Sequence, residues 1–523
     1  MSERSNVRVR WVILWSFALA FCLPLAGCKD TAADHHERGL ALYKQGQYDE
    51  AIAEFTLTLE MDAWLATAQY NRGLAYYQKG DHARAIADFT EYLQIHTDDV
   101  RAYSARAHAY CESGDYDRAL ADCNRVLKRD PRNHRAYLGR GNAYLDKGDL
   151  EQAIVEYTRA IQIAPGYADA YVGRGLAYAE LGKEEQGMAD FDKALQIDPH
   201  NALAYFNRGS THSEKGRYAQ AIAEYTRGLQ LAPGNAEAYR GRGIAYAGQG
   251  QYEQAMADLD KAIQIDPRNA LAYFSRASTY SEKGESALAV TDYSRAIELN
   301  RGYVDAYIGR GIAYGEQGQY ERAISDFDRA IQIDPRSLLA YLNRGNARYE
   351  TGGFRLAVAD YSRALVLDPN HAGAFYGRAY AYHHQRQYDL AIADYSRVIE
   401  IAPNDFDALY GRARAFQQQK HHGLAISDYT RVIELDANYA AAYAGRGTSY
   451  YEMKDCEKAL ADYDRAIDLD PSCALAYVGR AGINYYLREY AKAWADVQKA
   501  QSLGARVSPK FLDKLQEVSG GQE

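Results

Sequence analysis

Apolar positions recur along this chain in two helix-like groups within every block of 34 residues. Counted from Ala32, apolar side chains stand at positions 4, 8 and 11, and again at 17, 20, 21, 24 and 27. The i, i+3, i+4, i+7 spacing places each group on one face of a helix. Each block therefore predicts two short helices, which we call helix A and helix B.

Residues that end helices separate these two groups. Position 15 is Gly in the first ten blocks, from Gly46 to Gly352, and Gly readily adopts the left-handed conformation that ends a helix. Nine of the chain's 11 prolines stand at position 32, where the missing amide hydrogen stops helix B. The Asp-Pro-Arg-Asn segment at 266–269 then supplies Asn269 as an N-cap for the next helix.

The block occurs fourteen times in succession over residues 32–507, without insertion or deletion. It resembles the tetratricopeptide repeat, which has aromatic residues at 4 and 24, small residues at 8, 20 and 27, Tyr at 11 and Pro at 32. The fourth block carries all seven: Tyr137, Gly141, Tyr144, Ala153, Tyr157, Ala160 and Pro165. The resemblance implies an all-α fold, a right-handed α-solenoid (superhelix) with a concave groove. Such repeats bury their apolar faces only by stacking.

The segments that flank the repeats have distinct compositions. Residues 1–27 combine three arginines with an apolar run, which is typical of a secretory signal peptide. The Leu-Ala-Gly-Cys sequence at 25–28 resembles a bacterial lipobox, which implies that Cys28 is lipidated and that residues 28–31 are a short tether. An uncleaved anchor is disfavoured because the run of about 16 residues is shorter than the roughly 20 that a span requires.

Both ends of the repeat array suggest further contacts. Residues 508–523 are predicted to form a capping helix and tail, with Ser508 as N-cap, Pro509 as first helical residue and Val518 at its end. Near the other end, Trp64 is expected to make a cap contact, with insertion into a membrane interface as the alternative. Lys29 lacks the acidic residue associated with inner-membrane retention and favours the outer membrane, facing the periplasm.

Charge and motifs exclude several functions. The formal net charge is −9, and −11 without residues 1–27, which argues against a broad nucleic-acid surface. No metalloprotease, nucleophile-elbow or paired-cysteine motif occurs in the sequence. We therefore predict no enzyme activity, cofactor, metal site or small-molecule substrate, and the sequence does not indicate an oligomeric state.

Two charged rows accompany the repeat. Position 7 is Arg and position 23 is Asp or Glu in all fourteen blocks. This matching predicts a structural ion ladder of Arg-carboxylate pairs, whereas an arginine row that reads an anionic polymer would leave the carboxylates unexplained. Representative members are Arg140, Arg276, Arg310, Asp190, Asp292 and Asp326.

The resemblance implies that positions 2, 5, 9, 12 and 13 of helix A line the groove. The predicted partner-binding residues are Tyr349, Tyr376, Tyr380, Tyr410, Tyr451, Tyr485, Phe206 and Phe274. Rigid amphipathic aromatics favour protein interfaces, so the principal contact surface is predicted in the C-terminal third. An acidic row at position 13 is either a solvated rim or an edge that attracts basic peptides.

These features predict a lipid-anchored scaffold or adaptor that mediates protein–protein interactions in the bacterial cell envelope. Its partners would be extended or helical peptide segments bound in the concave groove. The alternative is a polysaccharide- or peptidoglycan-associated binding protein of an envelope or secretion complex, because tyrosine platforms with neighbouring acids also suit glycans.

Overall fold

The structure is a computed structural model that describes residues 30–519. The described part of the chain contains 29 α-helices and no strand. The predicted signal peptide and Cys28 lie outside the described residues. The predicted all-α fold of tandem helix–turn–helix repeats is confirmed.

Helices A occupy positions 1–13 of the fourteen repeats, and helices B occupy positions 17–30 in all but the last repeat. The helices A are α1 (Ala32–Lys44), α3 (Ala66–Gln78), α5 (Val100–Glu112), α7 (His134–Asp146), α9 (Ala168–Glu180), α11 (Ala202–Glu214), α13 (Ala236–Gly248), α15 (Ala270–Glu282), α17 (Val304–Glu316), α19 (Leu338–Glu350), α21 (Ala372–His384), α23 (Phe406–Gln418), α25 (Ala440–Glu452) and α27 (Ala474–Tyr486). The helices B are α2 (Tyr48–Met61), α4 (His82–Ile95), α6 (Tyr116–Arg129), α8 (Leu150–Ile163), α10 (Glu184–Ile197), α12 (Tyr218–Leu231), α14 (Tyr252–Ile265), α16 (Ser286–Leu299), α18 (Tyr320–Ile333), α20 (Phe354–Leu367), α22 (Tyr388–Ile401), α24 (His422–Leu435), α26 (Cys456–Leu469) and α28 (Tyr490–Ser502). A last helix, α29, spans Pro509–Ser519.

Turn chemistry explains these boundaries. The side chain of Asn269 accepts a hydrogen bond of 2.9 Å from the backbone N–H of Ala272 and so caps α15, as the sequence predicts. Between helices A and B, the glycine at position 15 has positive φ in the first ten repeats, for example 81° at Gly284. Repeats 11–14 keep this left-handed backbone with Arg or Lys in its place, such as Lys420 at 63°. The packing of the repeats therefore holds the left-handed backbone at this position even where the residue is Arg or Lys, which rarely adopt it.

Small residues at position 8 let helix B pack closely against helix A. A Cβ added to Gly141 would lie 2.5 Å from the ring of Tyr157, which is itself fully buried. The alanine at position 20, such as Ala153, is also fully buried. One aromatic ring at position 24 thus fills the space that two small residues leave open.

The chain divides into two compact units, residues 1–211 and 212–523, where the sequence predicts one uninterrupted array. Within each unit, helix A packs against helix B of its repeat, and helix B packs against the next helix A. Helices A of consecutive repeats also touch, as α5 and α7 do in the first unit and α19 and α21 do in the second. Each unit therefore presents a continuous helix-A face, where the predicted binding residues lie.

The C-terminal helix covers the last repeat. Leu515 is fully buried and Phe511 packs beside it, against the apolar side chains of α27 and α28. The polar residues Lys510, Asp513 and Glu517 are exposed on the opposite side. Helix α29 thus closes the apolar face of repeat 14 and presents a polar surface to solvent, in the place where the sequence predicts a cap.

Candidate peptide-binding surface and ion ladder

Five aromatic side chains of repeats 10 and 11 contact one another on the helix-A side of the second unit. We call Tyr349, Phe354, Tyr376, Tyr380 and His384 the aromatic cluster. The Tyr380 ring lies 5.1 Å from that of Tyr349, 6.1 Å from that of Tyr376 and 5.1 Å from that of His384, centroid to centroid. The Phe354 and His384 rings stack at 5.0 Å. The structure therefore brings together three of the predicted binding tyrosines.

A second aromatic group follows in repeat 12. The Tyr410 ring makes edge contacts with Tyr439 at 5.3 Å and with Tyr429 at 5.8 Å. The exposed guanidinium of Arg414 lies 5.9 Å from the Tyr410 ring centroid. A cation over a ring face adds electrostatic attraction to the packing. Tyr410 and Arg414 thus extend the aromatic surface into the next helix A with one positive charge.

Burial raises the pKa of two phenols in the aromatic cluster, Tyr349 and Tyr376. Burial, followed by the nearby Asp407 carboxylate, raises the pKa of Tyr376 to about 12. Burial and a hydrogen bond with Tyr380 raise the pKa of Tyr349. A neutral phenol both donates and accepts hydrogen bonds, so these rings offer a peptide an apolar face and a polar edge.

His383 is the opposite case, a half-buried base whose pKa is lowered. Burial, followed by the nearby Arg414 guanidinium, lowers the pKa of His383 to about 4. Its Nδ1 atom has no hydrogen-bond partner. Because the neutral ring is the form this site accepts, we interpret His383 as a packing residue that supports the cluster.

Tyr451 and Tyr485 lie away from the cluster. Tyr451 is 38% exposed and lines a concavity of about 280 Å³ with Val478, Gly482 and Phe511. Tyr485 instead packs its ring against Phe511 of the last helix at 5.5 Å. The concavity is therefore a second apolar surface, and Tyr485 packs against the capping helix.

The two predicted phenylalanines contribute less surface than expected. Phe206 is buried, with 8% of its area exposed, so it offers a partner little surface. Phe274 is partly buried and its ring packs 4.9 Å from that of Tyr303. The phenylalanine at position 5 packs into the protein in these repeats, because a Phe ring has no polar group and favours burial.

The ion ladder forms a contact network between helices. Arg276 Nε and Nη2 donate to the two carboxylate oxygens of Asp292 at 2.6 and 2.8 Å. Its Nη1 donates to Asp260 of the preceding repeat at 2.5 Å. Arg310 pairs in the same way with Asp326, at 2.8 and 2.7 Å, and reaches Ser294 of the preceding repeat. Each arginine thus joins two consecutive helices B.

Six family models match this chain, over ten segments in all. Models described as tetratricopeptide repeat match residues 36–100, 104–168, 168–201, 191–223, 209–279, 304–337, 342–406, 406–439 and 440–473, and one described as TPR repeat matches 278–318. The chain belongs to the tetratricopeptide repeat family. Repeats of this family bind other proteins, so this TPR chain is a protein–protein interaction scaffold, and such scaffolds are generally not enzymes.

Solved structures give further comparisons. A crystal structure of MamA is 30% identical and covers 31% of this chain and 96% of its own, with a TM-score of 0.29. A tetratricopeptide repeat protein from Parabacteroides merdae is 21% identical and covers 47% of this chain and 98% of its own, with a TM-score of 0.39. The APC/C hetero-tetramer Cut9-Hcn1 is 15% identical and covers 86% and 96%, with a TM-score of 0.45. No curated protein matches this chain.

The arginine at position 7 of this TPR array is also held between two rings. In repeat 3 the Arg106 guanidinium lies 5.5 Å from the Tyr103 ring centroid and 5.7 Å from that of Tyr110. These rings stand three residues before it and four after it on the same helix face. The hallmark aromatics at 4 and 11 therefore orient the arginine of the ladder.

Sequence reasoning missed one half of the ladder. Position 25 carries Thr, Ser, Asn or Asp in the first thirteen repeats and accepts the second hydrogen bond of the next arginine, as Thr226 does from Arg242 at 3.0 Å. Only repeat 14, which no repeat follows, has Gln498 there. The recurrence of these hydrogen-bond acceptors at position 25 could be seen in the sequence and would have predicted the link between repeats.

A variation in the ladder occurs where Glu replaces Asp. Arg140 Nη2 pairs with Glu156 at 2.5 Å, and Arg174 makes two bonds to Asp190, at 2.7 and 2.8 Å. In the Glu pair, Arg140 Nε and Glu156 Oε2 have no hydrogen-bond partner. The longer Glu156 side chain therefore makes only one of the two hydrogen bonds that Asp190 makes with its arginine.

Other predicted features have simpler outcomes. Trp64 is 82% exposed, so the expected cap contact is wrong. Residues 30–519 hold no cluster of three or more His, Cys, Asp and Glu side chains arranged to bind a metal ion. Over the same range, no helix combines the length and hydropathy of a membrane span.

Proposed function

We propose that this TPR scaffold is anchored by lipid at Cys28 and binds extended peptide segments of envelope proteins at the aromatic cluster. The aromatic cluster is the observation that carries the peptide-binding proposal. Three tyrosines project from adjacent helices A of one unit, and their rings contact one another. Aromatic anchors on a rigid surface bind partners at low entropic cost.

The charges around the cluster specify the peptide. Asp407 is exposed, and its negative charge helps to raise the pKa of Tyr376. Glu350 is exposed beside Tyr349. Carboxylates at both ends of the tyrosines favour a peptide with an aromatic or aliphatic residue flanked by Lys or Arg. This supports the acidic-edge interpretation of position 13 in repeat 10.

A random peptide display library tests the binding site. Peptides that bind the wild-type chain should bind a Tyr376→Ala, Tyr380→Ala double variant about tenfold more weakly, since each aromatic anchor contributes about 1 kcal/mol or more. Leu390→Ala is the matched control, because Leu390 is 48% exposed on helix B of the same repeat. The site is contradicted if Leu390→Ala weakens peptide binding as much as the double variant does. It is also contradicted if the selected peptides bind the double variant as tightly as the wild type.

Asp407→Lys tests the charge preference without disturbing the core. The residue is exposed at the start of α23, so the variant should fold normally. Selected peptides with Lys or Arg should bind it several-fold more weakly at low salt, and the difference should shrink as salt screens the charges. Peptide binding that is unchanged at every salt concentration contradicts the acidic edge.

Two exposed apolar residues near the N-terminus support attachment to a membrane. Trp64 is 82% exposed and Met61 is 56% exposed, and Trp favours the membrane–water interface. A lipid on Cys28 would hold this end of the chain close to the headgroups. We place the protein at the outer membrane, facing the periplasm, on the basis of Lys29.

Cys28→Ser tests the anchor. Wild-type protein should incorporate radiolabelled palmitate and sediment with outer membranes in a density gradient, and the variant should lose both properties. A single acyl chain binds membranes only weakly, so stable attachment requires a multiply acylated cysteine. Recovery of unlabelled wild-type protein in the soluble fraction contradicts the anchor, and recovery in the inner-membrane fraction contradicts the location.

A further inference from the structure

A cleft of about 370 Å³ lies in the first unit, between the turn that ends repeat 2 and helix B of repeat 3. Its lining comprises Thr97, Asp98, Val100, Tyr103, Arg125, Lys128 and Arg129. Three of these side chains are cationic, and Asp98 is the only carboxylate among them. The cleft is therefore a local basic site on a chain whose net charge is −9.

Repeat 3 departs from the other repeats at two of these residues. Position 29 is basic only here, as Lys128, and is Gln in six other repeats. Position 30 is charged only here, as Arg129, and is Ile, Leu or Met in the other thirteen. The repeat fold does not require either cation, since every other repeat forms helix B without them.

Equivalent residues in other repeats show what these changes do. The position-26 arginine usually reaches an acceptor at position 29, as Arg295 does with Glu298 at 2.8 Å and Arg329 with Gln332 at 3.1 Å. In repeat 3, position 29 is Lys128, so Arg125 faces a cation where other repeats provide an acceptor. Arg125 and Lys128 form no ion pair within residues 30–519, so both cations remain available to a ligand.

The cleft also orients its central arginine. Arg125 Nη1 donates to the Tyr103 hydroxyl at 3.1 Å, and the guanidinium lies 5.3 Å from the Tyr103 ring centroid. The hydroxyl of Tyr103 in turn donates to the Thr97 carbonyl at 3.1 Å. Tyr103 is buried, with 8% of its area exposed. A buried tyrosine thus holds an exposed arginine at the edge of the cleft.

The geometry points to an anion-binding site for a phosphoryl group at Arg125, Lys128 and Arg129. Planar guanidinium groups bind phosphate oxygens with two parallel hydrogen bonds, and Lys adds a point charge. The phosphoryl group belongs either to a phospholipid headgroup or to a soluble phosphate compound, which share this chemistry. The site includes no residue of the aromatic cluster and does not depend on the peptide-binding proposal.

Asp98 tunes this site by competition. Its carboxylate pairs with the Arg129 guanidinium, and both side chains are more than half exposed. A phosphoryl group therefore has to displace Asp98 from Arg129 or bind beside its negative charge. Removing the carboxylate should strengthen phosphate binding, whereas removing the cations should weaken it, and these opposite directions distinguish a site from a general charge effect.

The test uses the full-length chain with a Lys128→Gln, Arg129→Ile double variant. Both changes install residues that other repeats carry at these positions, so the variant should fold like the wild type. Binding of inorganic pyrophosphate, measured by calorimetry, should weaken about tenfold in the double variant and strengthen several-fold in Asp98→Asn. Arg295→Gln, which removes a position-26 arginine elsewhere, should leave binding unchanged.

Vesicle flotation separates the two sources. Binding to phosphatidylglycerol vesicles above that to phosphatidylcholine vesicles, reduced in the double variant, assigns the site to a lipid headgroup. Pyrophosphate binding without this vesicle effect assigns it to a soluble phosphate compound. If the wild type binds neither probe, or if the double variant and Arg295→Gln bind as the wild type does, the site is rejected.

Discussion

The ion ladder and the aromatic cluster lie on the same helices A but obey opposite rules. The arginine of the ladder is present in every repeat, and Arg276 and Arg310 contact the same two positions. The aromatic cluster is confined to repeats 10 and 11, and its rings contact one another. The recurring side chains form the contacts between repeats, and we propose that the varying ones bind the partner.

The largest effect should come from breaking the ladder. Arg276→Ala leaves Asp292, whose side chain is 7% exposed, without its bidentate partner, and should lower the free energy of unfolding by about 3 kcal/mol. Arg295→Ala removes an arginine whose side chain is 47% exposed and should cost less than about 1 kcal/mol. Urea unfolding measures both, and equal costs would contradict the ladder.

Exchanging Glu and Asp in the ladder should sharpen this result. Glu156→Asp should allow Arg140 the bidentate geometry that Arg174 has with Asp190, and should raise the free energy of unfolding by about 1 kcal/mol. The reverse change, Asp292→Glu, should lower it by a similar amount. A thermal melt of each variant checks the pair, and shifts of the same sign would contradict the explanation from side-chain length.

The turns between helices A and B offer a second exchange. Lys420 has φ of 63°, so Lys420→Gly should relieve left-handed strain and stabilise the protein by up to about 1 kcal/mol. Gly284, at 81°, has nothing within 4 Å of an added Cβ, so Gly284→Lys should cost a similar amount through the backbone alone. Destabilisation by Lys420→Gly would show that its side chain has a role in the turn.

A smaller effect should follow pH at His383. Its folded-state pKa of about 4 is below the ordinary value of 6.5, so the unfolded state binds more protons between these values. The stability from neutral His383 is present above pH 6.5 and is lost as pH falls toward 4, by about 1 kcal/mol after screening. His383→Gln should reduce the difference in urea midpoint between pH 7 and pH 4.5.

The fold was predictable because the same side-chain contacts repeat fourteen times. The period at positions 8, 20 and 24 is a packing rule, and Gly141, Ala153 and Tyr157 obey it in the structure. The left-handed turn at Lys420 could not be read from that residue alone, since Lys rarely adopts it. There the neighbouring helices determine the backbone.

The proposed binding surface was predictable only in part. Tyr349, Tyr376 and Tyr380 meet because their helices A are adjacent. Phe354 joins them from position 17, at the start of helix B. Nothing in the sequence indicated a groove contact there, because the predicted groove positions all lie on helix A. Phe206 shares position 5 with Tyr376 but is buried, because exposure depends on neighbouring side chains that a position number does not specify.

A mutational scan of repeat 11, residues 372–405, with separate readouts of folded protein and of binding to a display-selected peptide, tests the central claim. The account predicts that substitutions of Arg378, which binds Asp394, reduce the amount of folded protein. Substitutions of Tyr376 and Tyr380 should reduce peptide binding per folded molecule. Peptide binding that depends on Arg378 in well-folded variants, and is indifferent to both tyrosines, would contradict the account.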